Sequence, residues 1–275
     1  MLSLNYRYIF YLVLLLIFFF VTPLVQAMPA DIDGHWAEGS IKNLMAEGIF
    51  NGYPDGSFRP DQSITRAELA KTLAVSYEFN ASGQKAQFSD TEQHWAEEYI
   101  TALAKAGIIT GYPDGKFKPE APITRAEMVA MLTRLLNVGT EEERYTIDFA
   151  PTFPDLAEDH WAFYQIELAA KLGLLPRYYA PEFRPSRLAS RADTAWMLQQ
   201  VRNLKMVRGQ VLDQPEAGTN LLTVQPEGEG KIQIAVIPPE AVVFRNNITT
   251  TPEALTKDDQ ITIFYNRDEE PTVVK

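Results

Sequence analysis

The chain has 275 residues, contains no cysteine and carries a formal net charge of −11. This length is enough for two domains and a sizeable core. The lack of cysteine excludes disulfides, thiolate catalysis and Cys-ligated metals. The negative charge argues against nucleic acid and anionic membranes as partners, because both attract basic surfaces.

Residues 1–27 have the pattern of a secretory signal peptide. Arg7 precedes an apolar run at 9–21, and Val25-Gln26-Ala27 follows the helix-breaking Pro23. An uncleaved membrane anchor is the alternative, although the run is short for a span. We predict export to the cell wall, cell surface or periplasm of a bacterium, with no transmembrane span after cleavage. The chain from residue 28 has 24 basic and 36 acidic residues, a net charge of −12.

A long internal repeat organises residues 28–205. His-Trp-Ala occurs three times, at 35–37, 94–96 and 160–162. Each tryptophan is followed, 30 residues later, by an arginine: Arg66, Arg125 and Arg191. Successive tryptophans are 59 and 66 residues apart, so only the joins vary in length. The pattern predicts three copies of one unit, at 28–80, 87–137 and 152–205.

Each unit is predicted to be a helix, an ordered loop and a second helix. Apolar residues follow the tryptophan at helical spacing, and a glycine stands where a left-handed residue ends a helix: Gly48, Gly107 and Gly173. Gly-Tyr-Pro-Asp-Gly at 52–56 and 111–115 is turn chemistry. A Thr or Ser three residues before an acid then predicts a capping box. One unit cannot bury its apolar face alone, so the three should pack together.

The arginine in the first turn of each second helix is not explained by helix formation. A cation there faces the positive end of the helix dipole, at a cost of about 0.3–1 kcal/mol when exposed. One explanation is an ion pair with an acid of a neighbouring unit, such as the Asp of its opening motif. We favour the other, that Arg66, Arg125 and Arg191 bind an anionic group of a ligand beside the N–H groups of the helix N-terminus.

The aromatic residues of the repeats have two interpretations each. Trp36, Trp95 and Trp161 are expected to be at least partly buried, with sugar stacking as the alternative. Tyr53 and Tyr112, beside Gly52 and Gly111, either contact a ligand or hold the turn. The three histidines occupy equivalent helix starts, which predicts capping or packing instead of a metal site. We predict no metal and no cofactor.

Residues 206–275 change character and predict a small β domain. Five β-rich runs lie between Gly, Pro, Asn and Asp residues, at 209–212, 220–224, 231–236, 241–244 and 261–265, with a helical turn at 252–255. The fold class is therefore α+β, with an all-α repeat region and a small all-β barrel or sandwich, faintly OB-like. With six bases and eleven acids, this domain is not expected to bind oligonucleotides.

The repeat motifs resemble the S-layer homology (SLH) family. They share its His-Trp-Ala, Gly-Ile-x-x-Gly-Tyr-Pro-Asp-Gly-x-Phe-x-Pro and Thr-Arg-Ala-Glu segments, with the opening Asp at Asp31, Asp90 and Asp155. The resemblance implies a pseudo-threefold bundle whose inter-repeat grooves bind cell-wall polysaccharide attached to peptidoglycan, in several members through an acidic pyruvylated sugar. The implied glycan-binding residues are Arg66, Arg125, Arg191, Gly52, Tyr53, Gly111, Tyr112, Trp36, Trp95, Asp31 and Asp90.

The third unit departs from this pattern. It has Arg177-Tyr178-Tyr179-Ala180-Pro181 in place of the Gly-Tyr-Pro-Asp-Gly loop, and Asp193 in place of the glutamate. We therefore expect at most two working sites, centred on Arg66 and Arg125. The leading hypothesis is a non-enzymatic, exported envelope protein whose three repeats bind cell-wall polysaccharide and whose β domain is displayed or docks a protein partner. The alternatives are an envelope enzyme that acts on glycan with two carboxylates, and a scaffold that binds a protein partner.

Overall fold

A computed structural model describes residues 28–83, 86–138, 150–215, 218–228, 230–246 and 248–275. The signal peptide predicted at 1–27 lies outside these residues, as do residues 139–149 between the second and third repeats. None of the helices in the described ranges is long and apolar enough to cross a membrane.

Six α-helices of the described residues form three pairs, as the repeat pattern predicts. They are α1 Glu38–Ala46, α2 Arg66–Ser76, α3 Glu97–Lys105, α4 Arg125–Arg134, α5 Phe163–Lys171 and α6 Arg191–Arg202. The second helix of each pair starts at a complete capping box, in which Thr65, Thr124 or Ser190 and the acid three residues later bond each other's backbone. The first helices end before a glycine of positive φ: Gly48, Gly107 and Gly173. These predictions are confirmed.

The histidines help to start the first helices. In each repeat the Nδ1 atom of the histidine accepts the N–H of the alanine two residues later, as in the bond of 3.2 Å from Ala37 to His35. The imidazole thereby accepts a hydrogen bond from a backbone N–H group at the helix start that has no partner within the helix. The predicted capping role is confirmed.

The three repeats close into a ring. Helix α2 packs on α3, α4 packs on α5, and α6 packs back on α1. At the centre, backbone N–H groups bond carbonyls in a cycle: Ile64 donates to Ala189, Ala189 to Ile123, and Ile123 to Ile64, at 2.9–3.2 Å. Each repeat thus contacts both others, which gives the pseudo-threefold bundle that the family resemblance implies.

The C-terminal region forms one open, curled sheet in the order β3-β2-β1-β6-β7-β4-β5. Its strands are β1 Met206–Val211, β2 Leu221–Pro226, β3 Gln233–Val236, β4 Val242–Arg245, β5 Ile248–Thr250, β6 Gln260–Tyr265 and β7 Pro271–Val274. Neighbours are antiparallel except β4 and β7. The small all-β domain is confirmed, but two of its strands, β5 and β7, were not predicted.

The sheet shares its core with the helices. Along β4, β6 and β7, alternate residues point to opposite faces. Phe244, Phe264 and Val273 belong to the buried cluster of the repeats, whereas their neighbours Val243, Ile263 and Val274 belong to a second cluster inside the sheet. The β domain is therefore packed against the bundle instead of tethered to it.

Candidate functional site: three grooves between the repeats

Each repeat arginine is buried and reaches into the next repeat around the ring. Only 2–4% of Arg66, Arg125 and Arg191 is exposed. Arg66 donates from Nε to the carbonyl of Phe117 at 2.7 Å, and Arg191 donates in the same way to Phe58 at 2.8 Å. Arg125 donates from Nη1 to the carbonyl of Phe183 at 3.0 Å. A role in joining repeats therefore explains why a cation stands in the first turn.

The acid that faces Arg66 and Arg191 is the capping glutamate of the next repeat. Arg66 lies 3.2 Å from Glu127, and Arg191 lies 3.7 Å from Glu68. The opening Asp, which we considered as the partner, is engaged elsewhere. The carboxylates of Asp31 and Asp90 accept the N–H groups of two successive loop residues in their own repeats, at 2.7–3.1 Å.

The N-termini of the second helices do not offer free donors. The N–H of Arg66 bonds the carbonyl of Ala121 at 3.0 Å, and the N–H of Ala67 bonds Pro119 at 2.9 Å. The next N–H, of Glu68, bonds the capping hydroxyl of Thr65. The α4 and α6 starts repeat this arrangement. The expectation that these groups help to bind an anion is wrong, because carbonyls of the adjacent repeat and the capping hydroxyl already accept their hydrogen bonds.

Three grooves lie between the repeats, and each is lined by side chains from all three repeats. Groove A contains Arg66, Tyr112, Glu127 and Trp161. Groove B contains Arg125, Tyr178, Asp193 and Trp36. Groove C contains Arg191, Tyr53, Glu68 and Trp95. Their cavity volumes are about 460, 920 and 250 Å³. In cyclic order, one repeat supplies the arginine, the next the tyrosine and acid, and the third the tryptophan.

The tryptophans form walls of the grooves. Trp36, Trp95 and Trp161 are 46%, 54% and 52% exposed, so part of each ring is buried and part faces solvent. In groove B, Trp36 packs edge-on against Tyr178 with 5.2 Å between ring centroids. A half-exposed indole in a cleft offers an apolar face together with an N–H donor.

In grooves A and B a tyrosine hydroxyl bonds the capping acid. In groove A the Tyr112 hydroxyl donates to Glu127 at 2.5 Å, and the ring lies beneath the Arg66 guanidinium at 4.7 Å. Burial, followed by this bond, raises the pKa of Tyr112 to about 12. Burial alone would raise the pKa of Glu127, but bonds from Tyr112 and Thr124 and the charge of Arg66 outweigh it, so the pKa is lowered. Groove A therefore holds a complete ion pair.

Groove B lacks this ion pair. Within the described ranges, no carboxylate lies within 4.0 Å of the Arg125 guanidinium, and its Nε has no hydrogen-bond partner. The acid of this groove is Asp193, which is one methylene shorter than glutamate and bonds Tyr178. Burial raises the pKa of Asp193 to about 6, against the opposing bond from Ser190 and charge of Arg125.

The divergent loop of the third repeat builds groove B. It forms a short 3-10 turn, Arg177–Tyr179, that places Tyr178 where the other repeats place Tyr53 and Tyr112. Tyr179 is fully buried under the Arg125 guanidinium at 3.8 Å. We expected this loop to weaken the site of its own arginine, Arg191, but the structure brings the loop to Arg125.

The altered acid gives a testable pH dependence. A carboxyl group whose pKa is raised by folding stabilises the folded state only while it is protonated. The free energy of unfolding should therefore fall by about 2–3 kcal/mol between about pH 4 and pH 6 through Asp193. Asp193→Asn should lose this contribution. Urea denaturation at several pH values checks it, and a parent-minus-variant difference that stays flat would contradict it.

Glu127→Gln serves as the matched control in groove A. The pKa of Glu127 is lowered from 4.5, so its contribution has the opposite sign. The stability that it gives is present at neutral pH and is lost as the pH falls below about 4.5. The difference in the free energy of unfolding between parent and variant should therefore change with pH in opposite directions for Asp193→Asn and Glu127→Gln.

The loop glycines are required by close packing. A Cβ on Gly111 would lie 2.5 Å from the Phe88 ring, and one on Gly52 would lie 2.9 Å from the Ser57 carbonyl. Gly111→Ala should therefore destabilise the protein by about 1–3 kcal/mol through overpacking. Gly39→Ala, in helix α1 with open space around it, should be neutral or stabilise by up to about 1 kcal/mol. Thermal denaturation of the two variants measures the difference. Equal melting temperatures would contradict the prediction that Gly111 has no room for a side chain.

The structure thus gathers most, but not all, of the predicted residues in the grooves. Arg66, Arg125, Arg191, Gly52, Tyr53, Gly111, Tyr112, Trp36 and Trp95 line them. Asp31 and Asp90 do not; they hold the loops. The set of glycan-binding residues implied by the sequence left out Trp161, Tyr178 and the capping acids Glu68, Glu127 and Asp193. Trp161 could have been predicted, because it precedes Arg191 by 30 residues, as the other two tryptophans precede their arginines. The acids could not, because their capping role already explained why they are present.

Comparison with known proteins supports the repeat assignment. The family described as S-layer homology domain matches residues 30–70, 87–129 and 152–195. The chain is 43% identical over 144 residues to Cell surface glycoprotein 1 of Acetivibrio thermocellus and 42% over 143 residues to the Cellulosome-anchoring protein of that organism. It is 34% identical over 174 residues to S-layer protein EA1 of Bacillus anthracis.

These similarities cover only part of the relatives. They span 48%, 49% and 62% of this chain, but 6%, 30% and 19% of the three relatives. The chain therefore matches less than a third of each of these proteins.

Proposed function

Residues 30–70, 87–129 and 152–195 are three tandem S-layer homology domains, and from this premise we propose that the chain is a non-enzymatic anchor that binds cell-wall polysaccharide attached to peptidoglycan. The family and the relatives support an exported protein of the bacterial cell surface. The helical ring is the binding part, and the β domain is displayed on it.

The observation that carries this proposal is the composite construction of the grooves. Each groove combines a half-exposed tryptophan, a tyrosine and an arginine from three different repeats. Saccharide binding suits such a site, because an aromatic face packs against the apolar face of a pyranose while nearby polar groups bond its hydroxyls. Arg66, Arg125 and Arg191 form the floors of the grooves, and Asp31 and Asp90 position the loops without contacting the ligand.

The tryptophans give the cleanest test of this function. Substitution of the buried arginines would disturb the ring itself, so a loss of binding would be ambiguous. We expect Trp36→Ala, Trp95→Ala and Trp161→Ala combined to reduce retention on purified sacculi at least about tenfold, since each groove loses its exposed aromatic wall. Retention is measured with the chain from residue 28, on sacculi with and without their attached polysaccharide.

Two controls make the result specific. Ile234→Ala removes an even more exposed apolar side chain from the β domain, and should leave retention unchanged. Circular dichroism shows whether the triple variant keeps its helices. Full retention of the folded triple variant, or equal retention after the polysaccharide is stripped, would contradict the proposal. Release of reducing ends from wall material by the parent would favour an enzyme instead.

A further inference from the structure

Strand β3 is a free edge of the open sheet. It pairs with β2 on one side and has no neighbour on the other within the part of the chain that the structure describes. In an antiparallel pair, residues that bond the neighbouring strand alternate with residues whose backbone groups point away from it. The N–H of Ile237 donates to the carbonyl of Asn220 on the β2 side at 2.8 Å. The backbone groups of Val236, Ile234 and Ile232 therefore point away from β2.

The side chains of the same three residues form an apolar row on the outer face of the sheet. Between 58% and 69% of Ile232, Ile234 and Val236 is exposed. Leu221, opposite Val236 on β2, extends the row and is also exposed. Ala235, between them, belongs to the buried cluster inside the sheet. Contiguous exposed apolar side chains on a free edge are typical of an interaction surface.

This edge lacks the features that keep edge strands from pairing with another chain. Such features are charged side chains, prolines and bulges. Residues 232–237 contain neither a charged residue nor a proline, and the register between β2 and β3 is continuous. The nearest charges in the chain are Lys231 before the strand and Glu240 after it. The opposite edge, β5, has only three residues, of which Ile248 alone is a large exposed apolar residue.

The pattern of the β3 edge is symmetric about Ile234. If two copies of β3 pair antiparallel with Ile234 opposite Ile234, then Ile232 of each copy lies opposite Val236 of the other. All of these residues direct their backbone groups outward, so the three pairs form about six backbone hydrogen bonds. A shift by two residues would instead place Pro238, which has no N–H, or Gly230, which has no side chain, opposite one of them. The edge is therefore complementary to itself in one register.

We propose that the β3 edge is an interface between two copies of this chain, which pair antiparallel about a twofold axis at Ile234 and continue the sheet from one copy into the other. A second copy fits this edge because a twofold interface needs a surface that is complementary to itself. Charge favours the same place. The chain from residue 28 carries a net charge of −12, and an uncharged edge lets two copies approach without placing like charges opposite each other.

The size of the edge indicates a weak dimer. One short strand with four exposed apolar side chains buries less than the roughly 1,200–2,000 Å² of a stable complex. We expect a Kd of about 10–100 µM. Wall retention and unfolding measured at about 1 µM therefore report the monomer, and Ile234→Ala remains a valid control at that concentration.

Sedimentation velocity of the chain from residue 28, at about 1–300 µM, tests the interface without any wall material and so independently of the proposed function. The parent should change from monomer to dimer as its concentration rises. Ile234→Glu places two carboxylates opposite each other at the axis and should raise the Kd at least about tenfold. Ile248→Glu makes the same change on the other edge and should dimerise like the parent. A parent that stays monomeric, or an Ile234→Glu variant that dimerises equally well, would overturn the inference.

The register can be measured with single cysteines, because the chain has none of its own. Opposite residues of a hydrogen-bonded antiparallel pair have Cα atoms about 5.5 Å apart, which suits a disulfide. Ile234→Cys should therefore form a disulfide-linked dimer on mild oxidation. In Ile232→Cys the two cysteines lie four residues out of register, about 13 Å apart, and should link at least about tenfold more slowly. Equal rates in the two variants would show random collision and overturn the proposed pairing.

Discussion

Arg191→Met should lower the free energy of unfolding by about 3–5 kcal/mol, the range found when one member of a buried ion pair is removed. The guanidinium donates to the carbonyls of Phe58 and Asn51 at 2.8 and 2.7 Å, and lies 3.7 Å from Glu68. Methionine keeps the apolar stem but supplies no donor. All of these contacts join the third repeat to the first, so their loss opens the ring.

Arg59→Met provides a matched control on the same tyrosine ring. The guanidinium carbons of Arg59 and Arg191 lie 4.2 and 4.6 Å from the centroid of Tyr53. Arg59, however, is largely exposed and pairs with Asp55 on the surface, an interaction worth at most about 1 kcal/mol. Urea denaturation of both variants followed by circular dichroism measures the difference. Equal losses of unfolding free energy in the two variants would mean that the stability of the ring of repeats does not depend on the buried Arg191.

We expect a large loss of stability in Arg191→Met because the three repeats form a closed ring in which each repeat depends on both neighbours. In an open array of repeats, a lost interface frees a terminal repeat and leaves the others paired. Here each repeat bonds both neighbours at the central backbone cycle. One weakened interface therefore strains the other two, and we expect the three repeats to unfold together.

Local chemistry explains which parts of this fold could be predicted. A capping box joins residues three apart, and a helix-ending glycine acts on its own turn, so both can be read from a short stretch of sequence. The repeat spacing then located all six helices. The two missed strands lacked such signals: β5 Ile248–Thr250 has three residues, and β7 Pro271–Val274 begins with a proline after an acidic run.

The grooves could not be derived in the same way, because they depend on the order in which repeats pack. Arg66 and Glu127 are 61 residues apart, and nothing local to either shows that one faces the other. The glutamate already had a complete explanation as a capping residue. For the same reason, we expected the divergent loop of the third repeat to affect the site of Arg191, which belongs to the same repeat. The packing order of the repeats instead places Tyr178 of this loop beside Arg125.

The sheet and the helices should behave as one folding unit, and Phe264→Ala tests this. Phe264 lies in β6, is 3% exposed and belongs to the buried cluster of the repeats. Removal of a buried phenylalanine side chain costs about 3–5 kcal/mol. Further contacts cross the same boundary: Arg267 donates to the carbonyl of Leu175 at 3.2 Å, and Lys275 donates to that of Asn137 at 2.9 Å.

Tryptophan fluorescence makes the test decisive, because all four tryptophans of the chain lie in the helical repeats. If the two parts share one core, Phe264→Ala in the sheet should lower the denaturant midpoint reported by those tryptophans, with a single transition. Ile234→Ala, in the same sheet but 69% exposed, should leave the free energy of unfolding within about 0.5 kcal/mol of the parent. An unchanged tryptophan midpoint in Phe264→Ala would mean that the repeats fold without the sheet. A lowered midpoint would mean instead that the β domain also stabilises the ring of helical repeats.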